Sequence, residues 1–310
     1  MNRMRKPDPT VPFLDEAAIR SVLRLEEPIP AMERALIDFS AGRLLQPVRT
    51  IIPLAQHNAL MGIMPAVYGD IMGTKLVNVF PDNAALGLPT HLAIIAIFRA
   101  NTGEPLAVMD GRLITELRTA AVSAVATRLL SAPHAKTLAV LGSGVQARAH
   151  VRALALVRKF DSIRIWSRNP QHAQSFASEI GGTATSAEDA VRGADVVVTC
   201  TNSPQPILRG TWLKPDAMVN AVGAVGPTRR ELDDDAMRGG SVVVDSRDAA
   251  LKESGDVLLA DARIYAELGE LLAATKPLPQ SATRVFKSLG LAVEDLAAAK
   301  LVLEKLQKSG

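Results

Sequence analysis

Residues 137–150 read TLAVLGSGVQARAH, and this stretch decides the fold. A short apolar run, 138–141, meets Gly142-Ser143-Gly144-Val145-Gln146-Ala147, and a helix-compatible segment continues toward residue 160. Strand, tight turn and helix in that order make the phosphate-binding turn of a dinucleotide-binding βαβ unit. Gly142 permits the turn. Gly144 has no Cβ, so the backbone can approach a pyrophosphate. Ala147 holds the third small position, where the helix packs on the strand. The helix N-terminus then offers free N–H groups and a positive dipole end. Gly142, Ser143, Gly144, Val145 and Gln146 are therefore candidate cofactor contacts. A tight turn that binds nothing fits the same pattern, so the surrounding chain has to carry the reading.

Downstream, strand and helix alternate. Strands are expected at 138–141, 163–167, 196–201, 217–222 and 242–245, and helices at 145–157, 171–180 and 187–191. That rhythm gives a parallel sheet covered on both faces, with ligands beyond the C-terminal strand ends where the strand order switches. Those ends carry the glycine turn, Ser167-Arg168-Asn169, Thr201-Asn202, and Val222 followed by Gly223-Ala224. Ser167, Arg168, Asn169, Thr201, Val222 and Gly223 join the cofactor candidates. Folds selective for NAD place an acidic residue near the end of the second strand. No Asp or Glu lies between Ser162 and Ala177. The expected cofactor is NADP(H) in preference to NAD(H), with Arg168 on the 2′-phosphate and Arg148 able to approach it. After 245 a helical region holds Glu253 and Glu267, Pro277 and Pro279 mark a hinge, and an amphipathic helix runs over 291–306.

Upstream, residues 1–10 read as a loose tail. Residues 13–14 open a strand, helices are expected at 16–25 and 30–40, and strands at 48–54, 60–67, 75–80, 91–98 and 106–109. Short links between successive strands favour antiparallel pairing. A long alanine-rich helix then runs from 110 to 130 as a bridge. The expected fold is α/β: an α+β substrate-binding and dimerisation domain at 1–117 with a largely antiparallel sheet, rejoined by the helix of 291–310, and a Rossmann-type parallel-sheet domain at 118–290.

Hydrophobic residues make up 48% of the 310 and charged residues 22%, enough for sizeable cores. The net charge of +3 is scattered, without the basic stripe that tracks nucleic acid. One cysteine, Cys200, excludes an intrachain disulfide and a cysteine-based zinc site, and its apolar run suits a buried structural role. No metal site is expected. The basic N-terminus lacks the apolar core of a signal peptide, and no run approaches the length of a membrane span, so a soluble cytoplasmic protein is expected.

Three cations sit in apolar company: Arg49 in QPVRTIIPL, Lys75 in GTKLVNVF and Arg118 in TELRTAAVSA. Singly, each fits a solvent-facing strand position or a side chain that snorkels from a helix. Together they suggest a pocket whose cations a substrate carboxylate would neutralise. GxSxG and HExxH are absent. His91 reads as a core or surface histidine more readily than a catalytic one, and Met61 and Met64 as core.

The sequence as a whole resembles the ornithine cyclodeaminase and mu-crystallin family, and specifically its ketimine reductase branch. The resemblance rests on QPVRT at 46–50, GIMPA at 62–66, TKLVN at 74–78, LAVMDGRLITELRTAAVSAVAT at 106–127 and LGSGVQA at 141–147. It continues with IWSRN at 165–169, NAVGA at 220–224, RELDD at 230–234, VDSRDAALKESGDVLLADARIYAELGE at 244–270 and VFKSLGLAVEDLAAAKL at 285–301. It implies a homodimer in which Arg49, Lys75 and Arg118 hold the substrate carboxylate beside the nicotinamide. Thr119 and the glycine turn would face the pyrophosphate, Ser167-Arg168-Asn169 the adenosine ribose, and Thr90 the substrate. The implied activity is reduction of cyclic ketimine carboxylates, Δ1-pyrroline-2-carboxylate to proline and Δ1-piperideine-2-carboxylate to pipecolate. The rival readings are an amino-acid dehydrogenase using a 2-oxo acid and ammonia, an ornithine cyclodeaminase, and a non-enzymatic carrier of a small ligand. Cyclodeaminases of the family carry an aspartate where this chain has Val225, which cannot take a proton or balance a cationic substrate. Asp233, Asp234 and Asp235 read as a solvated helix start.

Overall fold

The computed structural model describes residues 10–280 and 283–309; apart from Thr10, the tail expected at 1–10 lies outside the described residues. In chain order the first elements are β1 (Phe13–Leu14), α1 (Glu16–Val22), α2 (Pro28–Ser40), β2 (Thr50–Leu54), β3 (Ala59–Tyr68), β4 (Ile71–Val79), β5 (His91–Arg99), β6 (Pro105–Asp110) and α3 (Gly111–Leu130). Then come β7 (Thr137–Leu141), α4 (Val145–Ala155), β8 (Ser162–Trp166), α5 (Pro170–Ile180), β9 (Thr183–Ala184), α6 (Ala187–Val191), β10 (Val196–Thr199) and β11 (Met218–Ala221). The last are α7 (Asp234–Arg238), β12 (Ser241–Val244), α8 (Arg247–Glu253), α9 (Gly255–Leu259), β13 (Ile264–Glu267), α10 (Leu268–Leu272), β14 (Arg284–Lys287) and α11 (Ala292–Ser309). They group into two compact units, one drawn from Met1–Arg24, Leu44–Thr115 and Asp295–Gly310, the other from Leu25–Arg43 and Glu116–Glu294.

The first unit is built on a six-stranded sheet in the order β1-β6-β5-β4-β3-β2. Every neighbouring pair is antiparallel except β1 with β6. Register decides which side chains share a face. Met64 stands opposite Lys75, Lys75 opposite Ile95, and Ile95 opposite Met109. Gly73, two residues before Lys75, is on the same face. A Cβ there would lie 2.3 Å from the Ala96 carbonyl oxygen and 2.9 Å from a Leu296 methyl, so glycine lets α11 close on this face. The opposite face carries Ile52, Leu92 and Ile94, which are 42%, 40% and 41% exposed. α1 starts at Asp15, whose carboxylate accepts from the Ala18 N–H at 2.8 Å.

The second unit holds eight strands in the order β13-β12-β14-β11-β10-β7-β8-β9, all parallel. β7 pairs with β8 on one side and β10 on the other, so the strand order switches between β7 and β10. Val140, Val197, Val219, Val243 and Val285 have no solvent exposure, as a sheet covered on both faces requires. α3 is buried throughout 117–127, where its alanines permit close packing. α2 groups with this unit: a Cβ on Gly269 in α10 would lie 2.0 Å from the Leu36 carbonyl oxygen.

Three strands differ from the sequence expectation. β9 and β14 are strands where the sequence reading places no element, and β13 lies in the stretch read as helical. β9 is two residues long. β13 ends at Glu267, which caps the short α10 and so reads as helical by composition. β14 is a central strand that ends on a lysine, a residue that argues against burial until its partner is known. The final helix is also buried on every side over 291–299, so its first half is not amphipathic. No helix among the described residues is long and apolar enough to cross a membrane.

Candidate functional site

At the switch point, the chain leaves β7 through Gly142 at φ 140, a conformation that side chains rarely adopt. A Cβ at Gly142 would also lie 2.8 Å from the Cys200 carbonyl oxygen, at the end of β10. Gly144 caps α4 in an extended conformation, and a Cβ there would meet no protein atom within 4 Å. Packing therefore does not demand glycine at 144, whereas close approach of a phosphate group does. Ala147 is fully buried behind the turn. Val145 is exposed at the start of α4, and Gln146 gives its carbonyl to His150 Nδ1 at 2.7 Å.

The turn is tied to the end of β8. Ser143 Oγ donates to Ser167 Oγ at 2.9 Å, and Asn169 caps α5 by accepting from the Gln171 N–H at 2.9 Å. Arg168 lies between them, exposed. Arg148 is committed locally: its guanidinium donates to the Ser143 carbonyl, pairs with Glu179 at 3.0 Å and stacks 4.5 Å from the Phe176 ring centre. Through these contacts Arg148 braces the turn. The open, small-residue turn at 142–147 and the free start of α4 fit a dinucleotide phosphate.

The strand ends on the other side of the switch are held by charges that the sequence reading missed. Glu231 is fully buried. Its Oε1 accepts from the Thr201 N–H at 2.6 Å and from Thr201 Oγ1 at 2.7 Å, while Oε2 accepts from Thr199 Oγ1 and the Gly223 N–H, both at 2.8 Å. Burial raises the Glu231 pKa, and the nearby Lys287 charge opposes the rise. Lys287 pairs with Asp256 at 2.9 Å, both fully buried, and donates to the Gly223 carbonyl at 2.6 Å. Val222 is buried beside them, and Val225 is 46% exposed in the following loop, between Ala224 and Gly226 at positive φ. Cys200 is partly buried, and burial, then the Glu231 charge, pushes its thiol pKa well up, which disfavours the thiolate. Asp233 caps α7 by accepting from the Ala236 N–H at 2.9 Å, and the run 233–235 starts a helix as expected.

The three cations are placed as follows. In the first unit, Lys75 is 3% exposed and pairs with Asp295 at 2.6 Å. Arg49 is half-buried, its Nη1 3.9 Å from Met64 Sδ, which brings it to the Lys75 face of the sheet. In the second unit, Arg118 is 5% exposed and pairs with Glu294 at 2.8 Å; Thr119 is buried next to it. Lys75 and Arg118 each have a carboxylate from the chain, so, unlike the sequence expectation, neither depends on a substrate anion for its neutralisation. In the sequence, Glu294 and Asp295 are ordinary members of an amphipathic helix, VEDLAAAK. Thr90 Oγ1 lies 3.1 Å from His91 Nδ1. Desolvation, then the Lys75 charge, lowers the His91 pKa, although solvent reaches part of the side chain.

Comparison with known proteins agrees with this geometry. A family model described as "Ornithine cyclodeaminase/mu-crystallin family" matches residues 11–310. Ketimine reductase mu-crystallin of Mus musculus is 49% identical over 284 residues, covering 89% of this chain and 91% of that protein. The structure of Thermococcus litoralis Δ1-pyrroline-2-carboxylate reductase, in complex with NADH and L-proline, superposes with a TM-score of 0.93 at 34% identity, covering 97% of this chain and 98% of that one. An archaeal alanine dehydrogenase dimer with bound NAD gives a TM-score of 0.92 at 29% identity, covering 97% of each chain. On the sequence, the fold and the nucleotide turn alike, the chain belongs to the ornithine cyclodeaminase/mu-crystallin family.

Proposed function

We propose that this protein is an NAD(P)H-dependent reductase of cyclic ketimine carboxylates, acting on Δ1-pyrroline-2-carboxylate and Δ1-piperideine-2-carboxylate. The observation that carries the reading is Gly144, where a Cβ would meet no protein atom, which leaves the backbone open to a phosphate at the mouth of the switch point in a chain 49% identical to a ketimine reductase. When bound, the nicotinamide supplies hydride to the C=N carbon of the protonated imine. Arg49, Lys75 and Arg118 bind the substrate carboxylate. Lys75 is held as a cation by Asp295 and Arg118 is oriented by Glu294, so each meets the substrate already fixed in place. Thr90 contributes a hydroxyl to the substrate and Val225 an apolar contact. Thr119, Thr201, Val222 and Gly223 line the cofactor, and Ser167, Arg168 and Asn169 receive the adenosine ribose.

The finer assignments are NADP(H) preference, from Arg168 and the absence of a carboxylate in 163–176, and a homodimer formed through the apolar sheet face of Ile52, Leu92 and Ile94. A second reading, an amino-acid dehydrogenase on pyruvate and ammonia, is supported by the archaeal alanine dehydrogenase of like fold. A spectrophotometric panel decides between them: both cyclic imines, pyruvate with ammonia, and ornithine, each with NADPH, NADH and their oxidised forms. Turnover of the imines above all other substrates is expected. Turnover of pyruvate and ammonia alone would replace the proposal by the second reading.

A further inference from the structure

A fully buried charge network lies directly beneath the ends of β10 and β11, and the reaction as described makes no use of it. Glu231 takes four hydrogen bonds, two on each oxygen, from Thr199, Thr201 and Gly223. Two of the four donors are backbone N–H groups, which only a lone pair can satisfy. Asp256 Oδ1 accepts from the N–H groups of Glu231 and Leu232 at 2.8 and 2.9 Å, fixing the segment that carries Glu231. Lys287 closes the ring by reaching Asp256 and the Gly223 carbonyl. Gly223 is therefore held through both peptide groups that flank its Cα, by its N–H and by its C=O. A Cβ on Gly223 would lie 2.2 Å from the Thr201 carbonyl oxygen, so the two strand ends are locked edge to edge.

Such a network is a poor way to stabilise a fold, since apolar residues of similar volume do as well or better. What it provides is position, because a saturated buried carboxylate defines its donors closely. Its location is the ligand side of the sheet, next to the switch point, on the side of β7 away from the ribose-binding end of β8. In a dinucleotide fold that side takes the nicotinamide half. We propose that Glu231 is a positioning residue that fixes the β10 and β11 ends as a floor for the nicotinamide half of the cofactor, with Asp256 and Lys287 holding it in register. The inference rests on the reading of this unit as a nicotinamide-nucleotide site.

Glu231→Gln keeps the shape and sets an NH2 group against one of the two backbone donors. Binding is measured by calorimetry for NADPH and for 2′-phospho-ADP-ribose, which lacks the nicotinamide ring. The expected result is a loss of NADPH affinity of roughly tenfold or more, with the fragment changed less than about twofold. Equal weakening of both ligands, or no change in either, overturns the proposal. Should Glu231→Gln not fold, Thr199→Val removes one of the four donors from a fully buried position. It should show the same split at about threefold, and its absence is equally decisive. Wild-type protein that binds NADPH but reduces no imine refutes the proposed activity and leaves this inference standing. Wild-type protein that binds no nicotinamide nucleotide refutes both.

Discussion

Lys75 and Asp295 meet at 2.6 Å, 3% and 1% exposed, on the face of the antiparallel sheet that α11 covers. Removing one partner strands a charge. Asp295→Ala should cost about 3–5 kcal/mol of stability, whereas the double replacement Lys75→Met with Asp295→Leu should recover most of it. The double variant should still lack imine reductase activity, since the cation is gone. Thermal denaturation beside an activity assay checks both halves; a double variant as unstable as the single one would show that the pair stabilises by more than mutual neutralisation.

Arg49 touches Met64 through its guanidinium and stands at the edge of the same face. Arg49→Ala should lower kcat/KM for a cyclic imine by roughly ten- to a hundredfold, as loss of a charge-assisted contact does, with NADPH affinity unchanged. Wild-type kinetics in this variant would take Arg49 out of the carboxylate site.

Val225 sits exposed in a loop between two positive-φ residues, and a valine can neither take a proton nor balance a cationic substrate. Ornithine with NAD or NADP should release no ammonia at a rate comparable to imine reduction. An ammonia-coupled assay tests this, and comparable rates would reinstate the cyclodeaminase reading.

Arg168 is exposed at the end of β8, with no carboxylate nearby in sequence. Arg168→Ala should raise the KM for NADPH far more than the KM for NADH. Parallel titrations of wild type and variant supply the numbers, and an equal rise for both cofactors, or a wild-type preference for NADH, would count against the 2′-phosphate contact.

His150 is fully buried, with Nδ1 against the Gln146 carbonyl and Nε2 2.9 Å from Ser123 Oγ. Burial lowers its pKa from 6.5 to about 4, outweighing the hydrogen bond to Gln146. The unfolded chain therefore binds the proton first as pH falls, so this group's stabilisation is complete above pH 6.5 and lost down to about pH 4. The full effect is on the order of 3 kcal/mol, from about 1.4 kcal/mol per pKa unit. Denaturant unfolding between pH 7.5 and 4.5 should show this slope in wild type, and a His150→Gln variant should show a shallower one.

Much of this was legible in the residues. The glycine turn announced itself because a strand, a tight turn and a phosphate-facing helix need small residues at fixed places, and Gly142 and Gly144 occupy them. Strand-like runs joined by short links announced the antiparallel sheet, and Lys75 stood out for its apolar neighbours. The partners of the cations were not legible. Glu294 and Asp295 look like solvent-facing helix residues, and only the fold shows that α11 is buried on every side there. Glu231, Asp256 and Lys287 share no local pattern, since what joins them is the lateral order of β10, β11, β14 and the segment after β11. β14 itself was hidden because its lysine reads as a surface residue in a strand that is in fact central.

The ring of Glu231, Asp256 and Lys287 also restricts how this lineage can change. Losing any one member leaves an uncompensated charge or orphaned backbone donors in the interior, so no single substitution is a neutral step. Among relatives the three should be kept together or exchanged together, a covariation that three segments far apart in the chain would not otherwise share.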